Sequence, residues 1–155
     1  MTQIVPVANA AEIEQVRALF EEYWTALGFT PCFQGFGEEL AGLPGAYAPP
    51  AGRLALAKVG GEPAGCVALR RVDDERGEFK RFYVRPQYRG TGTGRALLEW
   101  VIAEARACGY RQLVCHTMAV MDRALGIYER AGFERTGPHG DYPKEEAIFL
   151  RLRLD

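Results

Sequence analysis

From Ala11 to Leu27 the apolar residues Ile13, Val16, Phe20, Trp24 and Leu27 recur three or four positions apart, with Glu12, Glu14, Glu21 and Glu22 between them. That spacing gathers one apolar stripe along a helix. Ahead of it, Gln3 to Val7 reads as a short strand. Behind it the period breaks: the stretch FTPCFQGFGEELAGLPGAYAPPAG carries most of the Pro and Gly of the first half and predicts a long loop holding a short helix around Gly37 to Ala41. Arg53 to Val59 and Ala64 to Arg71, parted by Gly60 and Gly61, form a hairpin pattern, and after a turn at Asp73, Asp74 and Gly77 the run Glu78 to Val84 completes a meander. The helical period returns in Leu97, Leu98, Val101, Ile102 and Ala105 and stops at Gly109. A strand from Gln112 to Thr117, a helix from Met121 to Ala131 and a closing strand from Ile148 to Leu154 follow. Strand, helix and strand in succession make a βαβ unit with parallel strands, whereas the hairpins are antiparallel. The fold class is therefore α/β with a mixed sheet.

The 155 residues suit one compact domain, 1–155, and the composition, 48% hydrophobic and 25% charged, is that of a globular chain. Nineteen Lys plus Arg against twenty Asp plus Glu leave a formal charge of −1, so no overall field attracts nucleic acid, and any anion site must be local. The start, MTQIVPVANAAEIEQV, has no basic leader and no unbroken apolar run, which leads to the expectation of an unprocessed cytoplasmic protein with no membrane partner. Cys32, Cys66, Cys108 and Cys115 show no C-x-x-C spacing and read as reduced thiols. Cys108, Cys115, His116 and His139 have zinc-ligand chemistry, but their spacing fits no common finger or ribbon, so no metal is expected.

Arg89-Gly90-Thr91-Gly92-Thr93-Gly94-Arg95 stands between a predicted strand and a predicted helix. Glycines there let the backbone turn its N–H groups inward where the helix dipole favours an anion, and the arginines add charge. The dinucleotide pattern G-x-G-x-x-G fails at Arg95 or Leu97, and no Gly-Lys-Ser/Thr follows. A flexible turn with solvated arginines is the plainer alternative.

Arg89, Gly92 and Gly94 fill a pattern that resembles the pyrophosphate loop of the GNAT family of N-acetyltransferases, Q/R-x-x-G-x-G/A. Tyr83-Val84-Arg85-Pro86 before it and Ala124-Leu125-Gly126-Ile127-Tyr128-Glu129-Arg130-Ala131-Gly132-Phe133 after it are similar to two further signatures of that family. The N-terminal half looks like that of a small bacterial subgroup. The resemblance implies a single-domain acetyltransferase fold: a mixed, largely antiparallel sheet, helices on both faces, and a central parallel pair, Glu78 to Val84 and Gln112 to Thr117, that splays apart. Acetyl-CoA would enter the splay as cosubstrate, its pantetheine arm bonding the backbone of Phe82, Tyr83 and Val84 as an added strand would, and its phosphates meeting residues Arg89 to Arg95. Gly92 and Gly94 would keep a Cβ away from the pyrophosphate.

Transfer to an amine imposes two proton movements. The acceptor is an ammonium ion near neutral pH, so a proton must leave before attack on the thioester. Glu78 stands where the family often has an acidic base; His116 and His139 are the rivals, and His116 replaces the aspartate common in the subgroup. The departing thiolate needs a proton, and Tyr128 matches the family's tyrosine acid, although its helical spacing from Met121 and Leu125 also suits a core position. Elimination leaves Trp24, Gln34 and Tyr142 for the acceptor, with Tyr23 and Phe33 beside them; Trp24 is equally suited to packing helix on sheet. The expected reaction is acetyl transfer to the primary amine of a small molecule or peptide by direct attack in a ternary complex. The alternative is an acyl-CoA binding or sensing module whose chemistry has lapsed. The last strand or the long loop could pair two copies.

Overall fold

The computed structural model describes residues 2–28, 36–118, 122–136 and 147–154. Strand β1 (Thr2–Pro6) leads into α1 (Ala10–Leu27), whose start is fixed by a reciprocal cap. The Asn9 side chain accepts from the Glu12 N–H at 2.9 Å while the Glu12 carboxylate accepts from the Ala8 N–H at 2.8 Å. After α2 (Phe36–Ala41), the strands β2 (Arg53–Val59), β3 (Glu62–Arg71) and β4 (Arg76–Val84) form the antiparallel meander. Then come α3 (Thr93–Ala107), β5 (Gln112–Met118), α4 (Asp122–Arg130), β6 (Glu134–Thr136) and β7 (Ala147–Arg153). Among the described residues, the strands lie in one sheet in the order β1-β2-β3-β4-β5-β7-β6, with β4 and β5 its parallel pair.

Alternation along the strands sends side chains to two cores. Ala55, Val67, Leu69, Phe79, Leu113 and Leu150 meet α3 and α4, whereas Leu54, Leu56, Cys66 and Ala68 meet α1 and α2. The α1 stripe contains the predicted Val16, Phe20 and Trp24 and adds Leu19: Val16, Leu19 and Phe20 are fully buried, Ile13 is partly buried, and Trp24 is stacked on Phe36 with centroids 3.8 Å apart. Strand β6 was not expected from the sequence. Its three residues, Glu134, Arg135 and Thr136, carry no apolar alternation, and it exists by pairing with β7. Met121, the expected start of the last helix, lies outside the described residues. Among those described, no helix is long and apolar enough to cross a membrane.

Two irregularities shape the centre of the sheet. The β4–β5 ladder has the pairs Arg76↔Gln112, Gly77↔Leu113 and Glu78↔Val114, and there the strands part while β4 runs on to Val84 and β5 to Met118. Against β3, Cys66 faces Tyr83 but Ala68 faces Lys80, so β4 carries one extra residue. This bulge centres on Arg81, whose φ of 57° is the sole positive value among the described non-glycine residues. The Cys66 thiol donates to the Arg81 carbonyl at 3.3 Å, satisfying an oxygen the bulge has displaced.

Candidate active site

Beyond Glu78 the parting strands form a fork. On the α3–α4 side it opens into a cleft of about 1090 Å³. Phe82, Tyr83 and Val84 of β4 line it, followed by Arg89, Gly90, Gly92, Gly94 and Arg95; Ile127 of α4 and Ala131 just after it line it too. The loop is shaped by backbone. Gly90 and Gly92 have φ of 78° and 88°, values that side chains disfavour, and Gly92 is the uncapped start of α3, so no side chain takes the first-turn N–H groups away from the cleft. A Cβ at Gly94 would stand 3.6 Å from Phe82 Cζ, an ordinary contact, so the protein itself leaves room for one and only a bound ligand could be crowded there.

Thr91 and Thr93, also expected at the coenzyme site, brace the loop from behind instead of lining the cleft. Their hydroxyls are 3.0 Å apart, Thr93 Oγ1 lies 3.1 Å from Thr2 Oγ1, and Thr91 donates to the Tyr88 carbonyl. Arg89 donates to the Val84 carbonyl at 3.0 Å and lies over the Tyr83 ring. Arg95 is exposed and paired with Glu99. Arg106 and Arg130, which the sequence did not single out, add cationic charge to the same cleft. A long apolar trough with arginines and a row of N–H donors suits a ligand with an apolar arm and phosphate groups.

Tyr128 is buried where α4 crosses the fork, its ring edge-on to Phe79 at 5.2 Å and to Phe82 at 5.6 Å. Burial, with the nearby Cys115 thiol adding to it, pushes its hydroxyl well above the usual phenol range, so the group keeps its proton through neutral pH.

The opposite side of the fork, under α1 and α2, is built from charges. Glu78 is fully buried at the vertex; Arg70 Nε and Nη2 each approach its Oε1 at 2.7 Å, and His116 Nδ1 stands 3.7 Å from its Oε2. Two residues past the last ladder pair, Lys80 and His116 project on this same face from the two limbs. Burial lowers the Lys80 ammonium to about 8, with Arg81 adding repulsion and Glu78 opposing it. The bulge turns Arg81 to this face too. It is 5% exposed, forms a paired contact with Glu39 of α2 (Nε–Oε2 2.9 Å, Nη2–Oε1 2.8 Å), and its guanidinium lies 4.4 Å from the Phe36 ring centre. Burial is the largest influence and opposes its charge, but Glu39 together with the neighbouring Tyr47 and Tyr23 raises its pKa. A second forked pair, Arg85–Glu22, ties α1 to the end of β4 at 3.0 and 2.6 Å.

Of the acceptor residues expected from sequence, Trp24 is 3% exposed between Phe20 and Phe36, which is the packing role. Its neighbour Tyr23 lines the cleft with Tyr83. Gln34, Phe33, Tyr142 and His139 lie outside the described residues. Cys115 and His116 face opposite sides of β5, the thiol in the α3–α4 core, so the zinc grouping weighed above does not converge. Arg70 was missed because it sits on a different strand from its partner.

A sequence profile of the acetyltransferase (GNAT) family matches residues 13–133. The chain is 30% identical over 145 residues to an uncharacterised N-acetyltransferase of Schizosaccharomyces pombe, covering 92% of this chain and 89% of that one. It is 37% identical over 105 residues to an IAA acetyltransferase of Azospirillum brasilense, covering 66% and 68%. The likeness thus reaches beyond bacteria. Its fold matches that of a Staphylococcus aureus GNAT acetyltransferase with a TM-score of 0.84, at 19% identity and full coverage of both chains. It also matches a Salmonella typhimurium protein solved with its cofactor acetyl-CoA, with a TM-score of 0.77, 21% identity, and 100% and 95% coverage.

Proposed function

The chain belongs to the acetyltransferase (GNAT) family, and from that premise we propose that residues 1–155 act as one domain that moves an acetyl group from acetyl-CoA to a primary amine by direct attack in a ternary complex. The observation that carries this reading is the fork: one side presents an apolar cleft ending in the α3 N-terminus and arginines, and the other presents a buried carboxylate beside an imidazole. The residues fit acetyl-CoA. Gly90, Gly92 and Gly94 with Arg89 and Arg95 would hold the phosphates, and the free edge of β4 along Phe82, Tyr83 and Val84 would bond the pantetheine arm.

The thioester is then brought to the fork, where the two sides meet. The negative charge of Glu78 favours removal of a proton from the acceptor ammonium, after which the amine adds to the acetyl carbonyl. The added nitrogen gives its second proton to solvent, collapse breaks the C–S bond, and Tyr128, on the coenzyme side and still protonated, donates to the thiolate. The acceptor is a small molecule or a peptide amine, and neither role calls for a metal.

The test is release of free thiol from acetyl-CoA with a panel of primary alkylamines, amino acids and peptides, alongside calorimetric binding of acetyl-CoA. Amine-dependent thiol release is expected. Binding without release for any amine would point instead to the lapsed coenzyme-binding module, and absence of binding would sink both readings.

A further inference from the structure

Glu78 and His116 stand side by side at the fork and differ in exposure. The Glu78 side chain is 0% exposed, and one of its oxygens takes both Arg70 contacts. His116 is 17% exposed, on the limb of β5 beyond the fork, with its Nδ1 turned to the other Glu78 oxygen. An acceptor reaching the thioester from the α1–α2 side therefore meets the imidazole before the carboxylate. Phe149, across the β5–β7 ladder, sets a tilted ring 6.2 Å from that of His116.

We propose that His116 takes the proton of the acceptor amine, and that Glu78, clamped by Arg70, is the positioning residue that orients and charges it. This rests on the transferase reading above. With its proton on Nδ1 facing Glu78, the neutral ring takes the acceptor's proton at Nε2. The freed lone pair forms the C–N bond, the added nitrogen gives its second proton to solvent, the C–S bond breaks, and the thiolate takes a proton from Tyr128. The imidazolium returns its proton to solvent, from which Tyr128 is reprotonated, so no oxidant or further reactant is needed. The charged groups around the ring are Glu78 and Lys80 from β4 and Arg70 from β3. Arg81 with Glu39 stands beyond Lys80, and Arg151 of β7 is engaged with Glu134 of β6 at 3.0 Å. Glu78 favours the imidazolium, while Arg70 and Lys80 oppose it.

The experiment is the pH profile of kcat/KM with the fastest amine of the panel, for the native chain and for His116→Gln, Glu78→Gln, Glu78→Asp and Lys80→Met. His116→Gln is expected to lose about 100-fold on the plateau and to lose the rising limb, with acetyl-CoA affinity unchanged. Glu78→Gln should keep a rising limb but move it to lower pH, because the imidazolium loses its anion. Glu78→Asp, which retains the charge and leaves Arg70 a partner, should show a smaller displacement in the same sense if the glutamine variant does not fold. Lys80→Met should keep the limb. Added imidazole should restore rate to His116→Ala. A rising limb that survives His116→Gln and vanishes in Glu78→Gln makes Glu78 the direct base; one that vanishes only in Lys80→Met assigns it to Lys80. Either outcome overturns the proposal. A second readout needs no acceptor: the His116 ring signals, titrated by NMR, should shift midpoint downward in the Glu78 variants, and an unmoved midpoint also overturns it. Failure of the transferase reading is distinct, since it would appear as no acetyl-CoA binding by the native chain.

Discussion

The two sides of the fork are made of different materials. The α3–α4 side is walled by backbone and apolar groups: five residues of one short run, Arg89, Gly90, Gly92, Gly94 and Arg95, the N–H groups of one helix end, and apolar side chains, with Arg95 84% exposed at its rim. The α1–α2 side is assembled from charges drawn from separate elements, Glu78 and Arg81 of β4 buried, and Arg70 of β3, Lys80 of β4, His116 of β5 and Glu39 of α2 half-buried around them. Backbone recognition tolerates changes in side chains and costs little when the ligand is absent. Buried charge does not. Each ion there must keep its partner or destabilise the fold, so this side carries stability as well as chemistry.

The sharpest way to break that contrast is Glu39→Ala. It strands the Arg81 guanidinium beneath Trp24 and Phe36, and the expected loss is about 3–5 kcal/mol of unfolding free energy, the usual consequence of removing one member of a buried pair. Urea unfolding measures it. In the fraction that remains folded, acetyl-CoA affinity should be unchanged, because Glu39 touches nothing in the cleft. Affinity falling in step with stability would show that the two sides are one unit.

Tyr128→Phe probes the junction between the sides. The ring keeps its contacts with Phe79, Phe82 and Phe133, so the thermal midpoint should move by less than about 2 °C, while kcat falls about 100-fold. Since burial holds the native hydroxyl well above the usual range, activity should show no decline from this group up to about pH 10, its ordinary value. An unchanged kcat would leave Tyr128 a packing residue.

Two alanines sharpen the account of the loop. Gly92→Ala forces a Cβ into a φ of 88°, at a cost of about 1–2 kcal/mol of stability. Gly94→Ala meets Phe82 Cζ at 3.6 Å without strain, so its stability should hold while acetyl-CoA affinity drops, as the added methyl competes with the phosphates. Thermal unfolding and calorimetry separate the two effects. Equal affinity in Gly94→Ala would move the phosphates away from that residue.

The same contrast explains what could be read from sequence. The glycine loop was legible because a backbone site is contiguous: Arg89 to Arg95 fall in one run, and the strand before and helix after follow from periodicity. The strands and helices with a clear stripe, such as α1 and α3, were legible for the same local reason. The α1–α2 side was only half legible. Glu78 and His116 could be proposed singly, but their meeting depends on the β4–β5 ladder stopping at Val114, and Arg70 joins them through the β3–β4 register Arg70↔Glu78. Likewise, Arg81 meets Glu39 only because a bulge of one residue turns it across the sheet, and no spacing rule announces that. Strand β6 was illegible because its three polar residues are strand by pairing alone.

The smallest effect concerns Lys80, and its sign tests whether charge on the α1–α2 side is costly to the fold. Burial lowers the ammonium from its ordinary 10.5 to about 8. Between those values the unfolded chain holds a proton that the folded chain has released, so stability rises with pH across that window. Below about 8 both states are protonated, and the folded state bears the full penalty of a buried charge. Lys80→Met removes this penalty but also removes the attraction to Glu78 and Glu39, so the net gain at pH 7 should be only about 1 kcal/mol, a rise of roughly 2–4 °C in thermal midpoint. The gain should shrink toward zero as pH approaches 10.5, because the native lysine is then neutral in the fold and pays little for burial. Thermal unfolding of both proteins from pH 6.5 to 10.5 reads the difference directly. A variant less stable than the native chain at pH 7, or a gap independent of pH, would mean that Lys80 is held as a satisfied ion, and that this side of the fork stabilises its charges as well as the coenzyme side does.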